Sequence, residues 1–139
     1  MEMNSERSIL LVEDDVVDAM TVKRALKELK ITNPLIVKGN GEEALEHLRN
    51  SQTKHPCIII LDLNMPRMNG IEFLRVVKQD ETLRRIPVVV LTTSKGEQDR
   101  FESFNLSVAG YMLKPVEYPQ FVEVVRGINL YWTLSEMPD

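Results

Sequence analysis

Three consecutive acids, Glu13, Asp14 and Asp15, follow directly on the apolar run Ile9–Val12, and a fourth, Asp62, closes the apolar run 57–61. Like charges repel, so a fold that brings these strand ends together needs a bound cation or a proton to hold them. Asp14 and Asp62 are hard oxygen donors of the kind Mg2+ prefers, with Glu13 reaching the ion through a water. A cation held beside a strand-end aspartate points to phosphoryl chemistry on that aspartate. Asp62 is then the nucleophile, and the product is an acyl phosphate. Lys114 brings a compact positive charge able to pair first with the aspartate and later with a phosphoryl oxygen. Thr92 supplies a hydroxyl donor to another phosphoryl oxygen, helped by backbone N–H groups near Thr93. Such a reaction needs positioning and charge neutralisation more than covalent help.

These residues lie far apart in the chain, so the elements between them must bring them together. Five β-rich runs stand out, at 9–12, 35–37, 57–61, 88–91 and 110–113. Three of them are nearly unbroken Ile, Leu and Val, which suits strands buried on both faces of a parallel sheet. Between them apolar residues recur at helical spacing. The first set is Val16, Ala19, Met20, Val22, Leu26 and Leu29. The second is Ala44, Leu45 and Leu48, the third Ile71, Phe73, Leu74 and Val77, and the last Phe121, Val124, Val125, Ile128 and Trp132. The segment 97–106 is the weakest helical pattern, marked mainly by Phe101 and Phe104. Asn40-Gly41, His55-Pro56 and Ile86-Pro87 punctuate the series, and Pro119 falls in the first turn of the last helix. The pattern is strand–helix repeated five times: a doubly wound α/β sandwich whose ligands bind beyond the carboxyl ends of the strands. Glu13, Asp14, Asp62, Thr92 and Lys114 each close or follow a strand, so the rule gathers them in one pocket. One domain over 1–139 is expected, with a polar lead at 1–8, a C-terminal extension at 130–139 and no output domain.

Composition narrows the class. The 139 residues carry 17 basic and 21 acidic side chains, a net charge of −4 that argues against nucleic-acid binding through a basic face. Lys23, Arg24, Lys27 and Lys30 are read as a solvated helix face. Cys57 is the only cysteine, which excludes an internal disulfide and reads as a buried, reduced thiol. Neither a signal-peptide core nor a run of membrane-spanning length is present, so no membrane partner and a cytoplasmic location are expected. His47 and His55 have no metal-ligand spacing and fit a solvated helix position and a loop.

Four motifs carry a family resemblance. The run Ile9-Leu10-Leu11-Val12-Glu13-Asp14-Asp15 resembles the acidic opening of the receiver domains of two-component response regulators. The stretch Asp62-Leu63-Asn64-Met65-Pro66-Arg67-Met68-Asn69-Gly70 is similar to their phosphoacceptor loop. Leu91-Thr92-Thr93-Ser94 resembles the switch threonine and its small neighbour, and Tyr111-Met112-Leu113-Lys114-Pro115 the switch aromatic and lysine–proline pair. Val16–Asp18 with Ala19, Asn64-Met65-Pro66-Arg67, Thr92-Thr93-Ser94 and Leu130-Tyr131-Trp132-Thr133-Leu134 resemble the stand-alone regulators that accompany bacterial phytochromes.

The resemblance implies a flavodoxin-like (βα)5 fold with sheet order 2-1-3-4-5. Its metal set is Mg2+ on Glu13, Asp14, Asp62 and the backbone carbonyl of Asn64. It implies phosphorylation of Asp62 by a sensor histidine kinase, in this subgroup a phytochrome, with Thr92 and Tyr111 as the switch pair. It implies a cis peptide before Pro115, and a phosphoryl lifetime tuned by the residues two beyond Asp62 and Thr92, namely Asn64 and Ser94. The output is a remodelled face formed by the fourth helix, fifth strand and fifth helix, which with the C-terminal extension pairs two copies. Such a protein is not an enzyme beyond its own phosphorylation and slow dephosphorylation. Ser107-Val108 departs from the Gly-Ala pair frequent before the fifth strand.

Rival readings are a phosphorylation-independent pseudo-receiver, an FMN protein and an aspartyl-phosphate hydrolase. The acidic turn after the first strand would repel a flavin phosphate. A hydrolase needs a second acid close after the nucleophile and a substrate cap, and neither is visible. Asp15 reads as the cap of the first helix and Ser94 as a cap of the fourth. Tyr131, Trp132 and Leu134 either pack back on their own domain or bury against another copy; the second is the expectation.

Overall fold

Strands of unbroken aliphatic sequence can be satisfied only where both faces are covered, and that requirement sets the architecture. The computed structural model describes residues 7–65, 67–93 and 96–134, without the side chains of residues 97, 98, 101 and 130–134. The elements alternate: β1 (Ile9–Val12), α1 (Val16–Glu28), β2 (Leu35–Lys38), α2 (Gly41–Leu48), β3 (Ile58–Leu61), α3 (Gly70–Gln79), β4 (Val88–Thr92), α4 (Glu97–Asn105), β5 (Gly110–Leu113) and α5 (Tyr118–Leu134). A 3-10 turn, Leu83–Arg85, leads into β4. The five strands form one parallel sheet in the order β2-β1-β3-β4-β5, the flavodoxin-like order expected.

Side-chain alternation splits the core into two layers. Leu10, Val12, Ile59, Leu61, Val88 and Val90 face α2 and α3, where Leu45, Phe73, Leu74 and Val77 are buried. Ile9, Leu11, Ile58, Ile60, Val89 and Leu91 face α1 and α5, against Val22, Leu26, Val125 and Ile128. Each fully buried aliphatic side chain contributes about 2 kcal/mol. Cys57 is buried in the second layer, where burial pushes its thiol up to about 11 and keeps it protonated and unreactive at neutral pH.

Three helices begin on polar caps. Asp15 accepts from the Asp18 N–H at 3.0 Å, and Asn40 from the Glu43 N–H at 2.9 Å. Asn69 forms a reciprocal capping box with Glu72, at 3.0 and 2.9 Å. Each such cap is worth about 1 kcal/mol and fixes where the chain leaves the carboxyl edge of the sheet. Gly70 opens α3 under the loop that follows Asp62. A Cβ there would stand 2.5 Å from the Leu63 Cα and 2.7 Å from the Asp62 carbonyl oxygen, so backbone packs on backbone at this point.

Several sequence expectations need correction. Val16 and Met20 do not join the core: with Val17 they are 64–72% exposed, because α1 buries only Val22, Ala25 and Leu26. Phe104 is 56% exposed and Ser103 takes the inward position on α4. Arg24 is not merely solvated; its guanidinium stacks 3.9 Å over the ring of Tyr118, whose hydroxyl donates to Glu28 at 3.0 Å, tying α1 to α5. His47 is half-buried rather than open to solvent, and burial lowers its pKa. The peptide between Lys114 and Pro115 is trans, and no cis peptide occurs among the described residues. Helix α4 is capped by Gly96; Ser94 lies outside the described residues, as do the side chains of Tyr131, Trp132 and Leu134. No helix among the described residues is long and apolar enough to cross a membrane.

Candidate functional site

The sheet ladder runs one residue past the strands, and those extra rungs place the candidate residues. The Glu13 N–H donates to the Lys38 carbonyl at 2.9 Å, Asp62 N–H to the Val12 carbonyl at 3.0 Å, and Lys114 N–H to the Thr92 carbonyl at 2.9 Å. Val12 pairs with Leu61 across β1 and β3, so Glu13 and Asp62 emerge side by side. Thr92 ends β4 opposite Leu113 of β5, immediately before Lys114. Backbone hydrogen bonds therefore do the gathering, before any side chain is considered.

The side chains then converge on an open cleft of about 590 Å3, lined by Glu13, Asp14, Asp18, Asp62, Asn64, Thr93 and Lys114 among others. Asp62 is only 5% exposed at its base and Thr92 is fully buried beside it. The Thr92 hydroxyl donates to Asp62 Oδ1 at 2.7 Å. The Asn64 N–H makes a longer contact to the same oxygen, at 3.4 Å. Lys114 Nζ lies 2.5 Å from Glu13 Oε1, 2.8 Å from Asp18 Oδ2 and 3.6 Å from Asp62 Oδ2. Asp18 is the participant that strand-end reasoning missed. It belongs to the first helical turn; its signals in the sequence are its place three residues beyond the cap Asp15 and its inclusion in the Val16–Asp18 stretch of the family resemblance, neither of which points to the lysine.

Electrostatics at this edge are unbalanced. Burial opposes the Lys114 charge, yet hydrogen bonds to Asp18 and Glu13 and the charges of Glu13 and Asp62 outweigh it and carry its pKa up to about 12. The ammonium therefore stays protonated. Burial, reinforced by the charge of Asp62, pushes Glu13 up to about 7 against the pull of Lys114. One ammonium does not neutralise the cluster. Glu13, Asp14 and Asp62 each offer a carboxylate oxygen, and these oxygens lie within 4.8 Å of one another. Hard oxygen donors carrying surplus negative charge suit a divalent cation, so the donor set fits the ion that the sequence implied.

Tyr111 sits half-buried on β5, beside Val90 of β4 in the sheet register. Its ring is 6.3 Å from that of Phe104 and 6.0 Å from the guanidinium of Arg100, both on α4. On the other side of the cleft, Val16, Ala19 and Met20 of α1 and Leu35 and Val37 of β2 line an apolar groove of about 310 Å3 that shares Glu13 and Asp14 with the site.

Comparison with known proteins agrees with this arrangement. Residues 9–126 match the response regulator receiver domain. The chain is 38% identical over 135 residues to the response regulator Rcp1 of Synechocystis, covering 94% of this chain and 92% of that one. It superposes on the phosphorylated cyanobacterial phytochrome response regulator RcpA with a TM-score of 0.88 and 36% identity, covering 96% of this chain and 99% of that one. The Mn2+-bound form of Rcp1 superposes with a TM-score of 0.87 and 37% identity, at the same coverages.

The acidic cluster generates a direct expectation. Millimolar Mg2+ or Mn2+ should raise the melting temperature of the wild-type protein through linkage to the folded state. Asp14→Asn should remove most of that rise while changing metal-free stability by less than about 1 kcal/mol, since Asp14 is exposed. Thermal melts with and without metal check both halves.

Proposed function

This chain belongs to the response regulator receiver domain family, and we propose that it is a phosphorylation-controlled switch that accepts its phosphoryl group on Asp62. The observation that carries the reading is Asp62 itself: a nearly buried carboxylate at the foot of an open cleft, with Thr92 donating to one oxygen and Lys114 beside the other. The donor is a sensor histidine kinase, of the phytochrome kind by the company the chain keeps among its relatives. A carboxylate oxygen of Asp62 attacks the phosphorus of the kinase phosphohistidine. The P–N bond breaks and the imidazole leaves, taking a proton from solvent, so that an acyl phosphate remains on Asp62.

Glu13, Asp14, Asp62 and the Asn64 backbone carbonyl would hold Mg2+. When bound, the ion supplies positive charge that offsets carboxylate repulsion and screens the incoming phosphoryl oxygens. Lys114 and the Thr92 hydroxyl lie close enough to Asp62 to turn their protons to those oxygens. The protein acts on no further substrate; hydrolysis of its own acyl phosphate resets it. Histidine transfer needs a partner helix laid across the cleft, and the exposed Val16, Val17 and Met20 give it an apolar landing beside the acids.

Movement of Thr92 toward a phosphoryl group withdraws a buried hydroxyl from Asp62 and opens space along β4 for Tyr111. The face it remodels is α4-β5-α5, where Phe104, Leu113 and Val116 are 56%, 40% and 100% exposed. Apolar exposure of this extent supports that face, continued by the C-terminal extension, as the surface on which two copies pair.

Three outcomes follow. Asp62→Asn abolishes labelling by a small-molecule phosphodonor with Mg2+ present; full-stoichiometry labelling of that variant defeats the assignment. Met20→Glu slows transfer from the kinase roughly tenfold while leaving small-molecule labelling unchanged, because it alters the landing and not the acceptor. Sedimentation shows beryllofluoride with Mg2+ shifting the protein toward a dimer, and a mass unmoved by both reagents excludes the coupling between acceptor and face.

A further inference from the structure

The Lys114 ammonium has three protons and three carboxylates around it, and the three are not equivalent. Glu13 and Asp18 hold it at 2.5 and 2.8 Å, whereas Asp62 stands at 3.6 Å, beyond a hydrogen bond. The side chains of Glu13 and Lys114 are 2% and 6% exposed, so separating that pair would leave charge buried without a partner. Asp18 is 35% exposed at the cleft mouth, and water solvates its carboxylate whether or not Lys114 is on it. Its backbone is held by the Asp15 cap at 3.0 Å, independently of the loop that carries Asp62. Of the two short bonds, the one to Asp18 is the cheaper to break.

A phosphoryl group on Asp62 would bring extra negative charge and three acceptor oxygens beside the same ammonium. Its third proton points to no bonded carboxylate, but closing the 3.6 Å gap to hydrogen-bond distance moves the ammonium off the position that its bonds to Glu13 and Asp18 now fix, and the solvated Asp18 contact is the one that gives. We propose that Asp18 is a positioning residue that holds Lys114 back from Asp62 in the unphosphorylated protein and yields it to the phosphoryl group, so that its carboxylate sets how strongly the phosphorylated state is favoured. This rests on Asp62 being the phosphoacceptor. Asp18 touches neither the reacting oxygen nor the metal donor set; it acts through the lysine. A first-turn acid also complements the helix dipole, but that role affects the stability of α1 and leaves the lysine where it is.

The two roles separate on measurement. At saturating Mg2+, Asp18→Asn lowers the beryllofluoride concentration needed for half-saturation roughly fivefold and lengthens the lifetime of the label on Asp62 by a similar factor. It also shifts the 15N–1H signal of the Lys114 ammonium. Asp18→Glu, which keeps a carboxylate within reach, restores wild-type behaviour in all three. Asp15→Asn is the charge control: it removes a neighbouring acid, retains a capping side chain and leaves the half-saturation point within about twofold. An Asp18→Asn protein with wild-type beryllofluoride binding, or one no different from Asp15→Asn, overturns the proposal while leaving the phosphoacceptor reading intact. A wild-type protein that takes up neither label nor beryllofluoride removes the phosphoacceptor reading and the role of Asp18 with it.

Discussion

At the carboxyl edge of the sheet a buried ammonium faces more negative charge than it can balance, and much else in the molecule serves to keep that imbalance in place. Lys114 satisfies Glu13 and Asp18 and stands off from Asp62, while Asp14 adds a further charge at the surface. In water these groups would drift apart; here the ladder bonds of Glu13, Asp62 and Lys114 prevent it. Burial of Glu13 and Asp62 raises the cost of every uncompensated charge. The pocket is consequently responsive to anything that brings positive charge in or rearranges the existing one, which is what the proposed switch would require.

The aliphatic strands make this possible by being indifferent to function. β1, β3 and β4 are buried throughout, and their register fixes where the chain emerges to within one residue. Polar caps then turn the chain away: Asp15 after β1, Asn40 after β2 and Asn69 beyond the Asp62 loop. Structure and chemistry thus divide at a sharp line, with hydrocarbon below and titratable groups above.

That line is also where the sequence stops being legible. Unbroken runs of Ile, Leu and Val announced the central strands, and the acids and lysine at their ends announced the site, because strand ends in a parallel sheet converge whatever the side chains. The edge strands β2 and β5 were readable too, although β2 runs on through Lys38, as the inner strand β4 does through Thr92. Partner choice within the pocket was not readable. Whether Lys114 favours Asp62 or Glu13 depends on differences of about 1 Å in the reach of a four-carbon chain, and Asp18 enters from a helix rather than a strand end. Apolar periodicity misled where a helix carries more hydrophobic residues than it buries, as at Val16 and Met20. On α4 it failed for the opposite reason: small Ser103 faces in and Phe104 faces out.

Gly70 has a mechanical meaning beyond its fit. With the first turn of α3 pressed backbone to backbone against Leu63 and the Asp62 carbonyl, the acceptor loop cannot recede without pushing a capped helix before it. The carboxylate therefore offers a stiff target. If Asp62 accepts phosphate as proposed, a donor that arrives slightly out of line would meet no compliance from below, and the floor of the cleft as well as its rim would bear on its approach.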